Sequence, residues 1–573
     1  MSQTEATARV NCDVDDIDAA AEKFLADNNM NFDAEVCSTG KPRNYITQLI
    51  FELENSLIQL KAKNLTISKL EEMAILIFES MSISTRNYHS VQHVFDLINH
   101  DDRLQNYPIA IVSACFHDCI YYHVDGGLTP VQAVLLEGSY KIIGPSVKDM
   151  AETDYLHTQQ IYKFFATDRE EEITEIENPL MLLQMVETIF GYAPGYNIKI
   201  TMDGLNEFLS AVVAVRMLKD HLPIEMLAQI ACCIEATIPF RPVDKVTGKT
   251  HMDKLFDNMK KARQLYDLKL SDEDLISSVQ RACLISNSDV GNFGTTDRLW
   301  FLDNAWSLLP ELNESLRNQY VYSVDHFHVA LFKMYGFYGF LQPEVVFHDF
   351  QGVPAPDELN GLVEECRHNL AFGRTYVGAK LVAMSFVSAL AVLSGGDAPI
   401  SLFTGDLRPT ERRRSQVTRR LSTGNGHRNI SLLASAQSLR AYDFFKNKTF
   451  GLSQIPLDGR LQNCNLLVYE ILAEGRRSES SFDTKRSPWA ALLYGQLGDD
   501  GLNRILKEHT LYPMTEERAW SLLRALPLEP VQTIIQTISE QALSRADKIC
   551  ELFSRLESDA GNFTDAPDAE GDK

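Results

Sequence analysis

No CxxC pair occurs among the ten cysteines, which are scattered at positions 12, 37, 115, 119, 232, 233, 283, 366, 464 and 550. Their spacing excludes a zinc-thiolate site and a disulfide framework, and it implies a reducing cytoplasm. The N-terminus, MSQTEATARVNCDVDD, has no apolar stretch of the kind a secretory signal needs, so none is expected. Long apolar runs are scarce as well. The best membrane candidate, AKLVAMSFVSALAVL at 379–393, carries Lys380 and ends in Ser-Gly-Gly-Asp. That length suits a buried core helix better than a span. Positive charge is in short supply: 54 basic against 78 acidic residues leave a formal charge of −24. Such a surface repels phosphate backbones and excludes non-specific nucleic-acid binding. A small phosphorylated substrate stays open, because a divalent cation reverses the field inside one pocket.

Strand-like alternation is also rare, and what is present is helical. ITQLIFELENSLIQLKAK and TISKLEEMAILIFESM place apolar residues at three-and-four spacing, the second with Thr66 or Ser68 as its cap. Further helical patterns run over 88–100, 107–122, 130–142, 180–192, 204–218, 224–236, 252–266 and 272–286. Breakers separate them, among them Gly126-Gly127, Pro145, Pro194-Gly195, Pro239 and Pro242. The charge run TDREEEITEIENP at 167–179 reads as a solvated loop. The expected organisation is a flexible arm (1–44), a first helical domain (45–320), a helical extension (321–407), a basic linker or loop (408–429), a C-terminal helical unit (430–558) and a disordered acidic tail (559–573). No internal repeat is visible.

The chemistry-bearing segments are RNYHSVQHVFDLI at 86–98 and AIVSACFHDCIYY at 110–122. His89 and His93 are four apart on a helical pattern, which aims both imidazoles from one face, with Asp96 three residues further on. In the second segment an adjacent His117-Asp118 pair interrupts an apolar run. Burying both groups is costly unless something compensates their desolvation, and a divalent metal does so. An imidazole and carboxylate set suits Zn, Mn, Fe, Ni or Mg far better than Ca.

A histidine, then His-Asp on a later helix, then a distant aspartate resembles the signature of the HD superfamily of metal-dependent phosphohydrolases. The form YHSVQH…FHDCIYY is similar to an arrangement shared by a bacterial branch of HD hydrolases and, more distantly, by cyclic-nucleotide phosphodiesterases. The resemblance covers 86–125 and, faintly, 230–320. It implies that His93, His117 and Asp118 are metal ligands, with Asp289 of SNSDVGNFG as the final ligand. It makes His89 the acid that protonates the leaving oxygen, so that His89 and Asp118 are the catalytic residues, and it gives Asp96 a supporting place behind the ligands. The chain departs from the pattern at three points. The bacterial branch has an Asn-Glu pair soon after the His-Asp pair, whereas HVDGGLTPVQ offers only Asp125, and the first glutamate is Glu137. A Thr-x-x-His expected later is Thr237-Ile-Pro-Phe240. The additional histidine of the phosphodiesterase helix is replaced by Tyr121. One metal is therefore expected rather than two.

A second His-Asp pair, His348-Asp349 in VVFHDFQG, serves as an internal control. Prolines 343 and 354 flank it and it sits on no helical pattern, so it reads as a loop. The expectation is an all-α protein: an HD-type helical bundle with an additional C-terminal helical region. Its expected activity is hydrolysis of a phosphoester, such as that of a nucleotide, with one divalent cation and no membrane or nucleic-acid partner. The rival expectation is an HD fold that has lost turnover and works as a regulator or scaffold through its C-terminal half. Substrate identity and oligomeric state are not legible in the sequence.

Overall fold

The computed structural model describes residues 44–136, 179–193, 204–318, 321–405, 463–478, 482–483 and 485–564. Among them the chain is all-α, with isolated bridges at Ser323–Pro399 and Phe350–Val353 but no strand. Apart from Asn44 and Pro179, the expected arm, the charge run at 167–179 and the basic stretch at 408–429 lie outside the described residues. The chain divides into two compact units: Met1–Gly291 with Val345–Leu359, and Asn292–Glu344 with Asn360–Lys573.

The first unit holds helices α1 (Tyr45–Gln59), α2 (Ile67–Met81), α3 (Val91–His100), α4 (Pro108–Phe116), α5 (Pro179–Ile189), α6 (Leu205–Leu218), α7 (Ile224–Ala236), α8 (His251–Leu265) and α9 (Asp272–Asp289), besides shorter turns. Helices α1, α2, α8 and α9 start on side chains that satisfy orphan N–H groups of the first turn. Asn44 accepts from the Thr47 N–H at 2.8 Å, and Thr66 rather than Ser68 caps α2. Thr250 with Asp253 and Ser271 with Asp274 form reciprocal capping boxes at α8 and α9. Leu49, Leu53 and Leu57 line the buried stripe of α1 at helical spacing. Every residue of α7 from Leu227 to Ala236 is buried, and this helix packs against α4, α6 and α9. It is the axis of the unit.

Val345–Leu359 joins this first unit, although the sequence placed it with the extension. Phe350 enters the core, and Asn287 of α9 both donates to the His348 carbonyl (2.8 Å) and accepts from its N–H (3.0 Å). His348-Asp349 lies off any helix. The unit also closes at Gly291, where the sequence reading extended it to 320.

The second unit contains α10 (Arg298–Ser307), α11 (Val324–Phe340), α12 (Pro356–Ser394, whose first four residues count with the first unit), α13 (Leu466–Glu474), α14 (Pro488–Glu508), α15 (Glu516–Ala525), α16 (Leu528–Gln541) and α17 (Ala546–Thr564). The apolar stretch of α12 is long enough to cross a membrane, but 89% of it is buried within the protein. Lys380 is accommodated in it by an ion pair with Asp483 and by the Trp306 ring 4.4 Å from its ammonium. The last helix runs to Thr564, so the segment expected to be a tail from Asp559 begins as helix, and 565–573 lie outside the described residues.

Candidate metal centre

Three elements of the first unit bring the site together. Helix α3 starts at Val91 behind Ser90, so His89 stands in the turn before the helix and not on it. Its imidazole nevertheless meets that of His93, with ring centroids 5.8 Å apart, and the Tyr88 ring lies 4.8 Å from each. His93 is buried one turn inside α3.

Helix α4 is shorter than its apolar pattern suggested. It stops at Phe116, His117 is its C-cap, and Asp118 sits in the turn beyond. The difference has a physical use. The last carbonyls of a helix have no partner within it, and the Ala114 carbonyl accepts from His117 Nδ1 at 2.8 Å. A proton held on Nδ1 leaves the Nε2 lone pair free to face the cluster.

His117 Nε2 is 3.1 Å from Asp118 Oδ2, and His93 Nε2 is 4.0 Å from the same oxygen. The ligand atoms of His93, His117 and Asp118 all lie within 4.8 Å of one another, and all three residues are buried. Asp289, the last residue of α9, closes the group: its Oδ1 is 2.8 Å from His93 Nε2 and 3.4 Å from His117 Nε2. His117 Nε2 and Asp118 Oδ2 are fully enclosed, yet neither makes a hydrogen bond. Buried polar atoms are ordinarily satisfied, so two orphans facing each other fit a cation ligated by both. The group His93, His117 and Asp118 could hold a metal ion, and imidazoles with a carboxylate are donors that suit a divalent transition metal.

The electrostatics point the same way. Burial favours the neutral form of Asp118, but the imidazoles of His117, His89 and His93 outweigh it and hold the carboxyl below its usual range. Burial likewise opposes charge on Asp289, which His117 and His93 overcome. At His117, burial pushes the pKa down and the two carboxylates push it up by more, so that it rises well above an ordinary histidine. The pocket therefore draws positive charge to its centre, as a proton or as a metal.

Asp96 does not back the ligands. It accepts from Gln92 Nε2 at 2.8 Å along the outer side of α3, because a residue three positions after His93 has turned toward Tyr45. Asp125 is committed elsewhere too, in an ion pair with Arg86. A carboxyl that does act on Asp118 and Asp289 is Glu207, in the first turn of α6. Burial, with Asp118 and Asp289 adding to it, pushes the Glu207 carboxyl up to about 7. The preceding Asn206 accepts from the Tyr122 N–H at 3.0 Å, and Ser210 accepts from the Ile120 N–H at 3.0 Å. The dipeptide Asn206-Glu207 is visible in the sequence, but nearly ninety residues separate it from Asp118 and no local pattern links the two. Neither a family model, nor a curated protein, nor a solved structure matches the chain.

Proposed function

We propose that this chain is an HD-type phosphohydrolase that uses one divalent cation (Mn, Fe, Zn, Ni or Mg) to cleave a small phosphoester, with nucleotides as the first class to test. The observation that carries the reading is the meeting of His93, His117, Asp118 and Asp289 from three separate segments, with His117 Nε2 and Asp118 Oδ2 enclosed and unbonded. A divalent cation bound there would lower the pKa of water toward neutrality and neutralise charge on the phosphoryl oxygens.

The protein's own groups supply the proton chemistry. In this reading His89, whose imidazole acts electrostatically on Asp118 and packs edge-on against Tyr121 at 4.6 Å, would protonate the departing oxygen. On the same reading Glu207, whose carboxyl is held at about 7 beside Asp118 and Asp289, would take the proton of the attacking water. In this assignment one group is the acid and the other the base, which would assist attack by water and departure of the leaving oxygen.

Elemental analysis of the purified full chain tests the proposal. We expect near-stoichiometric divalent metal in the wild type and its loss in a His117→Ala, Asp118→Ala variant. Phosphomonoesters, cyclic nucleotides and nucleoside phosphates then form the substrate screen. A wild type that stays empty after reconstitution with each cation ends the hydrolase reading and leaves the regulatory one.

A further inference from the structure

The turn that carries Asp118 leaves α4 without regular structure, yet side chains from elsewhere in the chain hold it at successive peptide groups. Arg86 Nη1 donates to the Asp118 carbonyl at 2.6 Å, and Gln132 Nε2 donates to the Cys119 carbonyl at 2.7 Å. Ser210 and Asn206 accept from the N–H groups of Ile120 and Tyr122. Arg86 differs from the other three in being charged, with a side chain that is fully buried. Its guanidinium is fixed in plane by Asp125, which accepts from Nε at 2.9 Å and from Nη2 at 2.6 Å. The guanidinium carbon also lies 5.8 Å from the centre of the Tyr121 ring, the ring that packs against His89.

From this geometry we infer that Arg86, oriented by Asp125, is a positioning residue for the site: it fixes the direction of the Asp118 carboxylate through the backbone and the attitude of His89 through Tyr121. The inference rests on the hydrolase reading above and deepens it. Only a planar fork with three used N–H groups can bind both oxygens of one carboxylate and a carbonyl in the same plane. A buried arginine and aspartate whose sole task was stability would be an inefficient choice, since such pairs contribute little over apolar packing. Here the pair joins two segments, 86–89 and 117–125, that supply the proposed acid and two of the proposed ligands.

The test compares Mn2+ affinity, by competitive titration, in the wild type, Arg86→Lys, Asp125→Asn and Arg241→Lys. Arg241 is the control: it too binds a carboxylate and backbone carbonyls in the first unit, through Glu235 and Ile238. Arg86→Lys keeps the charge but loses the fork, and we expect its affinity to fall about 10–100-fold, the range for groups that orient metal ligands. Asp125→Asn leaves the carbonyl contact but frees the guanidinium plane, so a smaller loss is expected. It carries the test alone if Arg86→Lys does not fold. Arg241→Lys, matched for thermal stability, should bind as the wild type does. Unchanged affinity in Asp125→Asn and in folded Arg86→Lys, or an equal loss in Arg241→Lys, overturns this inference and leaves the metal site standing. A wild type that binds no cation overturns both.

Discussion

Among the described residues, Glu207 is the one carboxyl near the cluster whose electrostatics run opposite to those of Asp118 and Asp289. Asp118 and Asp289 are held ionised by imidazoles, whereas Glu207 is pushed up to about 7, first by burial and then by those same two carboxylates. The sign of its effect on stability follows from linkage. Below the unfolded-state value of 4.5 both states are protonated and Glu207 carries no penalty. As pH rises toward 7 the unfolded chain ionises first, and stability is lost over that window. With the partial exposure of the residue taken into account, the loss is about 2 kcal/mol. In metal-free buffer, Glu207→Gln should therefore raise the thermal midpoint at pH 8 and leave it nearly unchanged at pH 4.5. Equal shifts at both pH values, followed by scanning calorimetry, would refute the placement of this carboxyl. The same variant should lower turnover of any substrate found, because glutamine cannot accept a proton.

At the scale of elements, the end of α9 is fixed from two sides. Asp289 reaches the imidazoles, and two residues earlier Asn287 holds the backbone of His348 by a donated and an accepted hydrogen bond. Asn287→Ala would orphan the His348 N–H and leave its carbonyl only the weak thiol donor of Cys283, at about 1–3 kcal/mol. The expected result is a less stable protein in which the amides of 345–359 lose exchange protection while α12 beyond residue 360 keeps its own. Much of this was legible beforehand. Apolar spacing and capping residues marked the helices, and the quartet His93, His117, Asp118 and Asp289 could be proposed through the resemblance to the HD superfamily. The rest was not legible, for reasons that can be named. An apolar run such as PIAIVSACF shows no periodic edge, so the stop at Phe116 and the C-cap position of His117 were invisible. His89 sits at helical spacing from His93 without being in the helix, because Ser90 takes the cap. Asp96 satisfied the spacing and still turned outward to Gln92. Glu207 nears the cluster, and Val345–Leu359 joins the first unit, through long-range contacts that no local pattern encodes.

For the whole molecule the question is how a cation is drawn to one place on a chain of net charge −24. Exposed carboxylates attract divalent ions diffusely, an effect that screens out over about 8 Å at physiological salt. The proposed ligands, three of them buried and Asp289 partly so, belong to α3, the end of α4 and the end of α9, so a cation bound there ties three segments of one unit together. Ligand that binds only the folded state stabilises it by about 2.7 kcal/mol at a hundredfold excess over its dissociation constant. Mn2+ should therefore raise the thermal midpoint in 0.15 M salt, and the hydrogen-exchange gain should fall in α3, α4 and α9 but not in α13–α17. The rise should be larger at pH 8 than at pH 6, because His117, raised well above an ordinary histidine in the metal-free protein, holds a proton that the metal must displace. The His117→Ala, Asp118→Ala variant keeps nearly all of the acidic surface and should show neither effect. If it responds to Mn2+ as the wild type does, the cation is acting on the surface field, and the buried quartet is not its site.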